Sequence, residues 1–421
     1  MARVLFVLVS GGGNVPSQMS IARRLEARGH EIHVLADEAV RRHVPDGCVF
    51  RPFEHAPPGM GDTVTDMTRK VEKGSPIAKL KHVGDTIMFG PAAAHAQEVR
   101  AAITALSPHA VAVDCLLFGA MAAAEQSSVP AAVLTHFPLH GPVPGAVPGG
   151  LGLAPATGIG GRLRDALLEF VKRRVSASGL ATVNATRQSL GLSPLDDVFE
   201  QLLRLDRSLM LFPQEFDFVP SGLPAHVHYV GAQLDDPVLP GTIMGAAGPA
   251  SSVPLVLLSL GSTYQAQERP FANAVQALGT LPVRGIASYG LLDAPGAPAP
   301  ANVVVTQWVS HRELMPQASA MICHGGLGTV MKSLAQGIPV VVIPLGRDQL
   351  DNAARVEACG VGIRVAPSAS PAIIADAVQR VLREPRFREG AARMAAIIAR
   401  DLQADRAVAE LEKLAAGPYP Q

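Results

Sequence analysis

Residues 323–352, "CHGGLGTVMKSLAQGIPVVVIPLGRDQLDN", concentrate side chains suited to a phosphorylated, hydroxyl-rich ligand. An apolar run ends at Cys323, then come His324, Gly325 and Gly326, and helical spacing runs from about Leu327 to Gln336, stopped by Gly337. Glycines at a helix N-terminus let phosphate oxygens approach free N–H groups, and the helix dipole favours their negative charge. His324 adds a side-chain donor and Thr329 a hydroxyl in the first turn. No GxxxxGK(S/T) occurs, so this is not a P-loop, and glycines here also suit a tight turn without a ligand. One strand later, Asp348 beside Gln349 places a carboxylate next to a carboxamide, a pair suited to neighbouring hydroxyls on a sugar ring or simply to an exposed loop. Trp308, the only tryptophan, lies 16 residues before His324 and suits either a stacked base or a core.

A second glycine turn, "SGGGNVPSQ" at 10–18, follows the apolar run "ARVLFVLV". Gly11 and Gly13, with Asp37 ending the next strand, make a partial dinucleotide fingerprint, but Pro16 replaces its third glycine. An NAD-dependent oxidoreductase is therefore an alternative, one that leaves residues 323–352 unexplained.

The elements that must position these residues are short β-branched runs alternating with helical spacing, which argues for parallel βαβ units. Strands are expected near 2–10, 31–36, 110–114 and 131–135, with a helix from about Ser17 that carries Ile21 and Leu25 inward and ends at Gly29. Residues 138–161 are too rich in Pro and Gly for helix or strand and read as a floppy loop or a mobile wall over a substrate pocket. Residues 232–252 read as a linker, after which strands recur near 253–263, 283–287, 303–306, 319–323 and 339–343, and 371–416 read as helical. The expected organisation is an N-terminal domain over 1–231, the linker, a C-terminal domain over 253–395, and a helix and tail over 396–421 that can cross back to the first domain. Ligands of such sheets bind beyond the strands' carboxyl ends, so both glycine turns should face the cleft between the domains.

The 421 residues exceed one core's worth, and 48% hydrophobic with 17% charged residues describe a globular chain. Lys+Arg and Asp+Glu both number 36, so bulk charge steers neither nucleic acid nor anionic lipid. Cys48, Cys115, Cys323 and Cys359 show no CxxC spacing, which argues against a zinc ribbon or disulfide framework and for a reducing compartment. The N-terminal apolar run lacks a cleavage pattern and reads as a strand; the best apolar stretch, 110–124, is interrupted by Asp114. The expectation is a soluble, cytoplasmic monomer or homodimer with no membrane span, no nucleic-acid partner, no metal and no cofactor.

Taken together, Trp308, the HGGxGT of 324–329 and the GxPxxxxPxxxDQ of 337–349 resemble the donor signature of family 1 nucleotide-sugar glycosyltransferases, which have the GT-B fold. "GRDQLDNAARV" is most similar to the bacterial enzymes that glycosylate macrolides and other natural products. The resemblance implies that Trp308 and the Val309 backbone hold the nucleobase. It gives the pyrophosphate to His324, Gly325, Gly326, Gly328, Thr329 and Ser262, and the sugar hydroxyls to Asp348 and Gln349. The implied partners are a UDP- or dTDP-sugar donor and a hydrophobic small-molecule acceptor bound near Gly13, Asn14 and His136.

Two positions depart from the family pattern. The acidic residue eight positions after the signature His, which contacts the ribose, is here Lys332. A charged lysine cannot accept a hydroxyl hydrogen bond, which leans toward dTDP with its missing ribose hydroxyl. The family's base His, oriented by an Asp from a later strand, corresponds to Asn14, while Asp114 matches the orienting Asp. A carboxamide is no general base near neutral pH. Asp114 acting directly or through water, His136 as base, an acceptor acidic enough to need little help, and a non-catalytic auxiliary protein are the open alternatives; a role of Asn14 in the turn's left-handed backbone geometry alone is another.

Overall fold

The computed structural model describes residues 1–11, 13–59, 81–82, 84–139, 141–234, 242–243, 251–261, 265–290, 292 and 298–417. Two parallel sheets organise them. The first has seven strands in the order β3-β2-β1-β4-β5-β6-β7: β1 Arg3–Leu8, β2 Glu31–Ala36, β3 Val49–Pro52, β4 Ala110–Asp114, β5 Ala131–Thr135, β6 Arg207–Met210 and β7 Val227–Tyr229. A two-residue strand β8, Thr242–Ile243, follows within the segment expected to be an irregular linker. The second sheet has six strands in the order β11-β10-β9-β13-β14-β15: β9 Leu255–Ser259, β10 Arg284–Ser288, β11 Val303–Thr306, β13 Ala320–Cys323, β14 Val340–Val342 and β15 Gly362–Arg364. Between them in the chain, β12, Trp308–Val309, pairs with β8 rather than with either large sheet.

The central strands are buried along almost their whole length, as sheets covered by helices on both faces require. In each domain the strand order reverses beside the first strand, between β1 and β4 and between β9 and β13. That reversal opens a crevice at the carboxyl ends, where Ser10, Gly11, Gly13, Asn14 and His324–Gly326 lie.

Helix α1, Asn14–Ala27, starts three residues earlier than expected and closes as expected on Gly29, whose φ of +84° suits the residue after a helix end. Helices α2 (Ala92–Leu106), α3 (Phe118–Gln126), α4 (Gly158–Val175) and α5 (Ala177–Ser189) follow in the first domain, and α4 cuts short the loop expected to run to residue 161. The second domain carries α6 (Glu268–Gly279), the single turn α7 (His311–Leu314), α8 (Leu327–Ala335), α9 (Gln349–Ala358) and α10 (Pro371–Arg383), followed by α11 (Pro385–Ala404). Asp405, with φ +44°, turns the chain into α12, Arg406–Ala416, whose Ala407, Val408, Leu411 and Leu414 join the core of α1 and the first sheet.

The Pro/Gly-rich loop is tied to the second domain at Gly150 and Gly152. Gly150 and Gly152 donate backbone N–H to Asp351 of α9 at 2.6 and 2.8 Å, and Arg364 donates to the Gly152 carbonyl at 3.0 Å. Nearby, Asp217 of the first domain pairs with Arg355 of α9 at 2.7 Å, with both side chains nearly buried.

Candidate functional site

The turn after β1 is held by buried polar contacts. Asp37 accepts from the backbone N and Oγ of Ser10 at 2.7 and 2.5 Å, so its carboxylate is engaged in the turn. Asn14, 4% exposed, is the first residue of α1 and has no left-handed backbone, so backbone geometry does not account for it. Its Nδ2 donates to the Val9 carbonyl at 2.8 Å and to Asp114 Oδ2 at 2.7 Å, while its Oδ1 accepts from Gly11 N at 3.0 Å. Gln18 also donates to Asp114 Oδ2, and Leu116 N donates to Oδ1 at 2.8 Å. Asp114 is fully buried, and both its oxygens are occupied within the protein.

At the end of the next strand stands His136, half-buried, with Nδ1 3.4 Å from Cys115 Sγ and its ring edge-on to Phe137. The ligating atoms of Asp114, Cys115 and His136 all lie within 4.8 Å of one another.

Across the cleft, α8 begins at Leu327 with Gly326 as its N-cap and no side chain capping it. Gly325 needs its glycine: φ is +89°, and a Cβ would lie 2.6 Å from Val342. At Gly326 a Cβ would press on His324 Nε2 at 2.4 Å, and one at Gly328 would lie 3.9 Å from the Gly13 carbonyl. The helix N-terminus therefore meets the N-terminal glycine turn directly. Thr329 is half-buried in the first turn, and Lys332 is half-buried one turn on. The Trp308 indole lies against Gly290, 3.4 Å from where a Cβ would be. Ser262 lies outside the described residues.

His324 Nδ1 is buried without a hydrogen-bond partner among the described residues. Burial, reinforced by the Arg347 charge, pushes His324 down to about 4, so at neutral pH the ring is uncharged and carries one N–H. An unfolded histidine titrates near ~6.5. The unfolded chain thus takes up the proton first: this contribution to stability is complete above ~6.5 and is lost as pH falls toward about 4. Between pH 7 and pH 5 we expect a loss of about 2 kcal/mol from this residue. Urea midpoints at the two pH values should show a smaller drop for His324→Gln than for the wild type; equal drops would contradict the depressed value. His95, also lowered to about 4 by burial, adds a similar loss unrelated to the cleft.

The loop after β14 carries two charged residues into the cleft. Arg347 adopts φ +56°, and its Nη1 donates to the Gly11 carbonyl of the other domain at 3.3 Å. Burial lowers its pKa, opposed by the charge of Asp348. Burial raises the Asp348 carboxyl; the positive form of His136 across the cleft and a 2.7 Å bond from Asn352 act against that rise. Gln349, 2% exposed, has both ends of its carboxamide bonded within the second domain. Its Oε1 accepts from Leu345 N and Gly346 N at 2.7 and 3.1 Å, and its Nε2 donates to Gln265 at 2.7 Å. It shapes the loop that presents Arg347 and Asp348.

The fold thus gathers Gly13, Asn14, Asp114, His136, His324, Gly328 and Asp348 around one cleft. Arg347 and Cys115 escaped the sequence reading: an arginine in a loop carries no spacing code, and a lone cysteine after a strand is ordinarily core.

Two parallel-sheet domains meet at a glycine-rich helix N-terminus, the arrangement of the GT-B fold. Residues 294–414 match the family described as "Erythromycin biosynthesis protein CIII-like, C-terminal domain". The chain is 30% identical to 4'-demethylrebeccamycin synthase of Lentzea aerocolonigenes, over 93% of its own length and 94% of that protein's. It is 26% identical to demethyllactenocin mycarosyltransferase of Streptomyces fradiae, covering 94% and 82%. The crystal structure of the kitacinnamycin glycosyltransferase superposes with a TM-score of 0.76 at 22% identity, covering 98% of both chains. The glycosyltransferase VinC in complex with dTDP gives 0.63 at 20% identity, covering 98% and 99%. The chain belongs to the bacterial natural-product glycosyltransferases of family 1 and is an enzyme of antibiotic-biosynthesis type. Among the described residues, no helix is long and apolar enough to cross a membrane.

Proposed function

We propose that the protein transfers a hexose or deoxyhexose from a UDP- or dTDP-sugar to a hydrophobic small-molecule acceptor, with inversion at the anomeric carbon. The observation that carries this reading is the uncapped N-terminus of α8, flanked by neutral His324 and cationic Arg347 and abutting the opposite glycine turn. Such a place suits a diphosphate, whose charge grows as the sugar departs. In this reading Gly325, Gly326, Gly328, Thr329 and Ser262 complete the phosphate site, Trp308 and Val309 take the base, and Asp348 takes sugar hydroxyls. Gln349 acts by positioning the loop. No metal is required, because His324, Arg347 and the helix dipole can receive the charge. Lys332 in place of an acidic residue favours dTDP, as does the dTDP complex of a protein with the same fold.

The test is a thermal shift with UDP, dTDP and NAD⁺ at equal high concentration. A ligand near a hundred times its Kd stabilises by about 2.7 kcal/mol. A shift with UDP or dTDP but not NAD⁺ is expected, dTDP giving the larger. A shift with NAD⁺ alone would return the oxidoreductase reading, although Asp37, which would grip its ribose, is already bonded to Ser10. Binding of dTDP or UDP without transfer from any sugar nucleotide would favour the auxiliary-protein reading.

A further inference from the structure

The geometry points to His136 as the base that deprotonates the acceptor, with Cys115 as its positioning residue. The assignment rests on the glycosyltransferase reading above. Asn14 stands where relatives carry the base, but its amide nitrogen and oxygen are both bonded within the protein, and an amide takes no proton at neutral pH. Asp114 is fully buried, with donors on both oxygens. That pair braces the turn. His136 is the neighbouring titratable group that remains open to the cleft, half-buried at the carboxyl end of β5.

Its surroundings suit the task. Nδ1 faces Cys115 Sγ at 3.4 Å, and burial pushes that thiol far above its usual range, so the sulfur stays an uncharged partner. In the tautomer whose Nδ1–H points at the sulfur, Nε2 keeps its lone pair to take a proton. The charged groups around the ring are Asp114 beside Cys115 on β4 and Asp348 on the opposing loop, whose carboxyl responds to the charge on His136. Asp348 is also the group assigned to the donor sugar. On that assignment the ring faces the donor-sugar side of the cleft, where the Asp348 carboxyl interacts with the imidazolium.

In the step, the acceptor O–H bond breaks and its proton passes to Nε2 of His136. The oxygen bonds to the anomeric carbon from the face opposite the diphosphate. The bond from that carbon to the phosphate oxygen breaks, and its electron pair leaves on the nucleoside diphosphate. The imidazolium then releases its proton to solvent.

The test compares wild type and His136→Gln with dTDP-glucose and UDP-glucose as donors. The acceptors are 4-nitrophenol, 4-methoxyphenol and 4-nitrobenzyl alcohol, in order of falling acidity. A general base contributes ~10²–10⁴-fold. In His136→Gln, kcat should fall about 10²–10³-fold for the alcohol and less than about 10-fold for 4-nitrophenol, which ionises unaided. The KM for donor and the dTDP thermal shift should hold. Cys115→Ala should lower kcat in the same acidity-dependent pattern but by less, and Cys115→Ser should recover part of it. An equal loss with every acceptor, or no loss, overturns the assignment. So does a loss on EDTA treatment that Zn²⁺ restores, which would make Asp114, Cys115 and His136 metal ligands. Absence of any nucleotide shift and any transfer in the wild type would instead sink the glycosyltransferase reading itself.

Discussion

Arg347→Met is expected to lower transfer about 10²–10³-fold, the scale for removing one preorganised donor from a charge-developing site. Arg347 sits in a left-handed backbone conformation, which costs a non-glycine residue about 1–3 kcal/mol and persists only where the surroundings hold it. The Gln349 carboxamide, bonded to Leu345 N and Gly346 N, is one such hold. The guanidinium bridges to the Gly11 carbonyl, and its charge is felt by His324. Burial penalises that charge, so an incoming diphosphate would relieve it, and a departing diphosphate would find it already in place. Methionine keeps much of the length and apolar stem but supplies no donor. Calorimetry should show dTDP affinity falling by about 10–100-fold, in keeping with loss of a charge-assisted bond, while thymidine affinity is unchanged. Arg347→Lys should fall between, because a point charge cannot reproduce the planar fork. Equal loss for thymidine and dTDP would move Arg347 away from the phosphates and make it a residue of general cleft structure.

Asp217→Ala is expected to cost about 3–5 kcal/mol of stability, because it strands a buried cation. Asp217 accepts from Arg355 Nε at 2.7 Å, from Tyr229 OH at 2.6 Å and from Phe218 N at 2.8 Å, and the Arg355 guanidinium also stacks on Phe218. Both side chains are nearly solvent-free, so water cannot replace the lost carboxylate. The pair lies where the domains meet, beside Phe212, Phe216 and Tyr229, which share one apolar cluster with Met394 and Ile398 of α11. Urea unfolding should show the midpoint falling, with the domains separating earlier than either sheet melts. Replacing both partners, Asp217→Leu with Arg355→Met, should recover most of the loss, since an apolar pair of similar volume leaves no charge unpaired. A single variant within about 1 kcal/mol of wild type would mean that water or a rearranged neighbour compensates the arginine.

The two parallel α/β domains and the donor-type segment were legible in the residues alone. Apolar runs such as "RVLFVL" and "AVAVD" are buried on both faces, which leaves a strong local signal, and the glycine turn before α8 is written in consecutive residues. Strands β3, β6, β7 and β15 passed unread because three or four residues such as "VFRP" or "VHY" carry too little pattern to stand out. The Pro/Gly-rich stretch was legible as a loop, but its ties to Asp351 were not, because backbone N–H groups leave no trace in residue identity.

Tertiary structure alone decided what Asn14 does. Its type ruled out a base, yet only the meeting of β1, α1 and β4 shows the amide bonded to Val9, Gly11 and Asp114. It likewise decided that Gln349 faces its own loop, that Arg347 reaches Gly11 some 336 positions away, and that Cys115, His136 and Asp348 converge from three separate turns. Local periodicity records which face of an element is buried; it does not record which charges the folded chain brings together, because those meet only after the two sheets have docked.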